Sequence, residues 1–66
     1  MKIGIVIDTW KLPIFERRLK QGGYTFEQGP FSGDTLSLAV WTENRDALLG
    51  VVLSANTEAA MTGKPR

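Results

Sequence analysis

Along residues 2–8, "KIGIVID", Ile3, Ile5 and Ile7 fall on one side of a two-residue period and Gly4, Val6 and Asp8 on the other. That alternation of branched residues predicts a strand whose two faces are both largely apolar. From Trp10 the period lengthens. Leu12, Phe15 and Leu19 recur at spacings of three and four, while Glu16, Arg17, Arg18, Lys20 and Gln21 point elsewhere, which predicts an amphipathic helix stopped by Gly22 and Gly23. "YTFEQ" at 24–28 alternates again, and "GPFSGD" at 29–34 supplies Gly and Pro for a reversal. "TLSLAVWTE" at 35–43 is the clearest period-two segment, with Leu36, Leu38 and Val40 on one face and Thr35, Ser37, Ala39 and Trp41 on the other. Asn44 or Thr42 then caps a second helix from about Arg45 to Met61 or Thr62, with Asp46 suited to the positive end of its dipole. Leu48, Val51, Val52, Ala55 and Ala59 form its core stripe, and Leu49, Leu53, Ala60 and Met61 widen the apolar arc beyond it.

The predicted order is β-α-β-β-α. A right-handed crossover sets the first strand parallel to the second or to a strand beside it, and the short reversal makes the second and third antiparallel. The expectation is a two-layer α+β domain over residues 1–62: a three-stranded mixed sheet with two helices on one face, and 63–66 as a flexible tail. This order resembles the split-βαβ, ferredoxin-like sandwich with no fourth strand. In that arrangement the first strand lies between the third and the fourth, so here one edge of "IGIVI" is left open, apolar and uncharged. Such edges template pairing with another chain and are normally covered. The tail "TGKPR" has no strand pattern and carries a Pro, which leaves a second copy or another protein as the cover. The sheet face away from the helices, with Gly4, Val6, Thr25, Glu27, Ser37, Ala39 and Trp41, suits packing against a copy of itself. A homodimer is therefore expected, with Gly4, Val6, Ala39, Trp41, Leu49 and Leu53 as its candidate interface.

Composition sharpens this reading. Sixty-six residues make one small domain, and 42% hydrophobic residues make it a globular one. A core of this size seldom contributes more than roughly 3–5 kcal/mol, so a staple, a metal or a partner is called for. The chain has no Cys and no His, which excludes disulfides and thiolate chemistry and argues against structural zinc. Oligomerisation is the stabiliser that remains. A net charge of +1 gives no general attraction to polyanions. The apolar run of the N-terminus reaches Asp8 too soon for a signal peptide, and no run approaches the ~20 residues of a membrane span. The expected setting is cytoplasmic, for a complete chain without cofactors.

Candidate chemistry centres on Asp8, Thr9 and Trp10. An Asp at the carboxyl end of a strand sits where open sheets tend to bind ligands, and a neighbouring Trp offers a ring to stack on. Turn chemistry accounts for the same residues: Asp8 or Thr9 caps the helix, Trp10 folds over its start, and Pro13 occupies the first turn, where its missing N–H costs little. With Asp8, Pro13 and Gly22 or Gly23, the segment resembles ligand-sensing ACT domains, which implies an amino-acid-like ligand at this joint. It departs from them in having Ile14 after the Pro, a longer spacing from Asp8 and no fourth strand. "DTWKLPIFERRL", "GGYTFE" and "SANTEAA" together resemble small proteins of tailed-phage and prophage genomes, for which no activity is implied; a phage chain would work in the host cytoplasm.

Trp41 on the open face resembles the stacking aromatics of RNA-recognition folds, yet Gly4 and Val6 stand where a second ring belongs, and the face is read as carrying Asp8 and Glu27 without Lys or Arg. That opposes phosphate binding. The seven carboxylates show no spacing that gathers them, and Glu16 with Lys20 reads as an i,i+4 surface pair. "GPFSGDT" is one residue short of a phosphate-binding loop and has Asp34 in place of the Lys. Arg17, Arg18 and Lys20 read as a solvated helix face. Catalysis is not expected, and the chain is read as a protein-interaction domain.

Overall fold

The computed structural model describes residues 1–63, and the tail expected at 63–66 lies, but for Gly63, outside them. In chain order it carries strand β1 (Lys2–Asp8), a 3-10 turn (Thr9–Lys11), helix α1 (Leu12–Gln21), strands β2 (Thr25–Ser32) and β3 (Thr35–Trp41), and helix α2 (Arg45–Thr62). The fold is α+β in the order β-α-β-β-α. The sheet order is β1-β3-β2, compatible with a ferredoxin-like arrangement that stops before a fourth strand.

Both ladders are antiparallel, β1 on β3 and β2 on β3, so the expected mixed sheet is replaced by a fully antiparallel one. The reason is the central position of β3. The α1 crossover does carry the chain from β1 to a parallel β2, but β3 inserts between them and no parallel pair touches.

Alternation decides which face is buried. Leu36, Leu38 and Val40 of β3 and Ile7 of β1 are buried, and so are Phe15 and Leu19 of α1 and Leu48, Ala55 and Ala59 of α2. Ile3, Ile5, Leu12, Ile14, Tyr24, Phe26, Val51 and Val52 pack around them. Both helices cover this one face. The other face, from Val6 to Trp41, is left to solvent.

Helix ends follow local chemistry. Gly23, at φ +76°, closes α1 in a Schellman motif: the Tyr24 N–H donates to Leu19 O at 3.0 Å and the Gly23 N–H to Lys20 O at 3.1 Å. At the start of α2, Asn44 Oδ1 accepts the Ala47 N–H at 3.0 Å, and Thr42 Oγ1 accepts the Asn44 N–H at 3.1 Å. Asn44→Ala is expected to cost about 1 kcal/mol and Asn44→Gly a few tenths, read as urea midpoints at fixed slope. Equal midpoints for the parent and the Ala variant would remove Asn44 as the cap.

Two further sequence expectations are corrected. The second strand was expected to end at Gln28 with a reversal over 29–34, but β2 runs on to Ser32. Ser32 pairs with Thr35, and the loop shrinks to Gly33 and Asp34. Gly33, at φ +61°, supplies the positive φ that a two-residue hairpin of the II′ kind needs at its first loop position. Gly29 and Pro30 stand opposite Ser37 alone, as a bulge in an edge strand, where a residue lacking an N–H is tolerated.

The joint before α1 also differs. Neither the 3-10 turn nor α1 has a side-chain cap, so Asp8 and Thr9 do not cap. Asp8 faces Lys11 instead, 3.7 Å away, and the Thr9 N–H donates to Asp34 O at 2.8 Å. A tight turn uses the backbone groups that a cap would have satisfied.

Candidate functional site

The outer edge of β1 is open among the described residues, and the hydrogen-bond pattern shows which of its groups look outward. The Thr42 N–H donates to Met1 O at 2.9 Å and the Thr9 N–H to Asp34 O at 2.8 Å, at the two ends of the β1–β3 ladder. In an antiparallel ladder the bonded pairs alternate. The odd residues, Ile3, Ile5 and Ile7, therefore turn their N–H and C=O towards β3. Lys2, Gly4, Val6 and Asp8 turn theirs to the open edge.

The same four residues place their side chains on the open sheet face, in register with β3. Lys2 stands opposite Trp41, Gly4 opposite Ala39, Val6 opposite Ser37 and Asp8 opposite Thr35. Across β3 lie Thr25 opposite Trp41, Glu27 opposite Ala39 and Ser32 opposite Thr35. The surface is low in its middle rows and tall at the Trp41 end. Val6 is 72% exposed and Trp41 39%. Lys2 was missed as a member of this face, although the period of two places it there. Its Nζ lies 5.9 Å from the Trp41 ring centroid, so the face is not purely acidic as expected.

Asp8, Thr9 and Trp10 do come together, with Asp34 of the hairpin loop added, around a hollow of about 220 Å3. The Thr9–Asp34 backbone bond creates it, and no local pattern marks Asp34 for the role. Two carboxylates and an indole suit an ammonium group. The chain supplies one itself: Lys11 Nζ lies 5.5 Å from the Trp10 ring centroid and 3.7 Å from Asp8.

Leu49 and Leu53 lie in the helical layer, away from the sheet-face residues they were grouped with. Leu49 is 49% and Leu53 68% exposed. Ala47, Gly50, Val51 and Ser54 face the C-terminal end of α1, sharing a shallow groove with Arg18, Gln21 and Gly22. By the helical period Leu49 then falls on the flank of α2 turned away from α1. Beside that groove Arg17 and Lys20 of α1 are exposed, as expected of a solvated face, while Arg18 is half-buried and both arginines are paired. Arg18 donates from Nε and Nη2 to Glu58 Oε1 at 2.9 and 2.7 Å, and Arg17 pairs with the other oxygen of Glu58. Glu58 thus ties the two helices together, a role set by the helix crossing. Glu16 and Lys20, expected as an ion pair, are not paired among the described residues, whose ion pairs are Lys11 with Asp8 and Arg17 and Arg18 with Glu58.

No cluster of three potential metal ligands occurs among the described residues, and no described helix is long and apolar enough to cross a membrane. Comparison of the chain with protein-family models, with curated proteins and with solved structures gave no match.

Proposed function

We propose that this chain is a non-enzymatic interaction domain that works by self-association, an accessory protein of the kind that its phage-like segments suggest. The observation that supports it is the outer edge of β1, where Lys2, Gly4, Val6 and Asp8 direct their backbone groups away from β3 and Val6 adds a 72% exposed side chain. An apolar edge of this length is a pairing surface unless something blunts it. In the ferredoxin-like reading it is the edge that a fourth strand would cover, and a second copy takes that place.

The expected mass by light scattering at tens of micromolar is twice the 7.3 kDa of one chain; a mass of one chain there would refute the proposal. Val6→Lys puts a charge beside the edge and should weaken association by about tenfold or more while leaving the circular dichroism spectrum unchanged. Trp41→Ala separates the two surfaces. A small effect accords with the β1 edge, and a loss as large as that of Val6→Lys moves the interface to the open sheet face.

A second reading, a small-molecule site, has in its favour the hollow at Asp8, Thr9, Trp10 and Asp34. An amino-acid ligand would set its ammonium against the carboxylates and displace Lys11 from them. Binding to the native state raises the melting temperature, so an unchanged melting temperature across amino acids and nucleotides at millimolar concentration rejects this reading.

A further inference from the structure

Resting on the self-association proposal, we infer that two copies join β1 to β1 about a two-fold axis through Ile5, and that Lys2 of each copy, facing Asp8 of the other, fixes that register.

Strand pairing must keep both helical layers on one side of the shared sheet, so residues of like parity have to stand opposite each other. For the seven residues of β1 a two-fold axis then passes through Gly4, Ile5 or Val6. An axis through Gly4 or Val6 engages only five residues of each strand. It sets Lys2 against an apolar Val6, or Asp8 against Gly4. An axis through Ile5 engages all seven, and Lys2 meets Asp8, Ile3 meets Ile7, Gly4 meets Val6 and Ile5 meets its own copy. Read in opposite directions, "KIGIVID" is its own complement: cation against anion, the residue without a side chain against a β-branched one, and isoleucine against isoleucine.

The backbone agrees with the side chains. Lys2, Gly4, Val6 and Asp8 direct their N–H and C=O outward, as deduced from the Thr42–Met1 and Thr9–Asp34 bonds. In this register they are matched only with one another, so every outward group meets an outward group in a bonded pair. Ile3, Ile5 and Ile7 become the non-bonded pairs, in which opposing side chains approach most closely. They point to the helical face, where Ile3 and Ile5 are half-buried in one copy, and the core would continue across the axis. The interface is isologous and closes on itself.

The test uses two charge reversals and their mixture. Lys2→Glu and Asp8→Lys each set like charges opposite one another twice per dimer, and each variant alone should dimerise about tenfold more weakly than the parent. Mixed in equal amounts they restore opposite charges at both pairs, so the mixture should associate to within about threefold of the parent. The register about Ile5 has this property, whereas the axes through Gly4 and Val6 set neither residue 2 nor residue 8 of one copy against the other's. Hydrogen exchange on the parent provides a check that needs no variant: the amides of Lys2, Gly4, Val6 and Asp8 should gain protection as concentration rises through the dimerisation range. A dimeric parent whose four amides stay unprotected, or a mixture no tighter than its components, overturns this register and leaves self-association through another surface standing. A parent that remains one chain in mass overturns both.

Discussion

Phe15→Ala is expected to abolish stable folding. Phe15 is fully buried against both layers, and truncating a buried phenylalanine costs about 3–5 kcal/mol through lost transfer energy and the cavity left behind. A core of this size contributes roughly the same amount, so no margin remains. The variant should show a largely unfolded circular dichroism spectrum at room temperature, or a urea midpoint near zero. Phe31→Ala is the matched control. Phe31 is 61% exposed near the end of β2, and its loss should move stability by no more than about 0.5 kcal/mol. Because the proposed self-association would stabilise by mass action, both belong at one protein concentration. A Phe15 variant that melted with the parent would place the core elsewhere.

Gly29→Ala is the second large effect, and its cause lies in the backbone. A Cβ at residue 29 would stand 2.7 Å from Ser37 Oγ and 3.1 Å from Ser37 O. The hydroxyl can rotate away, but the carbonyl belongs to the central strand of the sheet and cannot yield freely. Overpacking of this kind costs about 1–3 kcal/mol. Ser37→Gly removes the atom that can rotate away and leaves the carbonyl, so the two substitutions should add. The Gly29→Ala loss measured against Ser37→Gly alone should stay within about 0.5 kcal/mol of its value in the parent. Recovery of half the loss or more in urea unfolding would show that Ser37 Oγ, and not the carbonyl, is the obstacle. The bulge at Gly29 and Pro30 also shapes the open face, since it keeps the row of Val6 and Ser37 low where it crosses β2.

The α-helical and β periods, the capping residue Asn44, the two glycines after α1 and the core stripe of α2 were all legible along the chain, because each is a local pattern whose cause lies within a few residues. Lys2 on the open face was legible too, since a period of two places it there without any structure. Asp34 beside Asp8 and Glu58 across Arg17 and Arg18 were not, for they meet through contacts between elements far apart in the chain. The end of β2 lay between these cases. Gly and Pro at 29–30 signalled a break in regular pairing, and a bulge and a turn share that signal.

The sequence by itself determined the order β-α-β-β-α, the buried face of each element and the apolar character of residues 3–7, since these follow from side-chain period and chemistry alone. Only the tertiary structure decided that β1 and β2, although parallel in direction, never touch and that every ladder is antiparallel, because β3 pairs with both of them. It also decided which backbone groups of β1 look outward. Parity along a strand is fixed by its partner's hydrogen bonds, and without β3 in place the even residues could as well have faced inward.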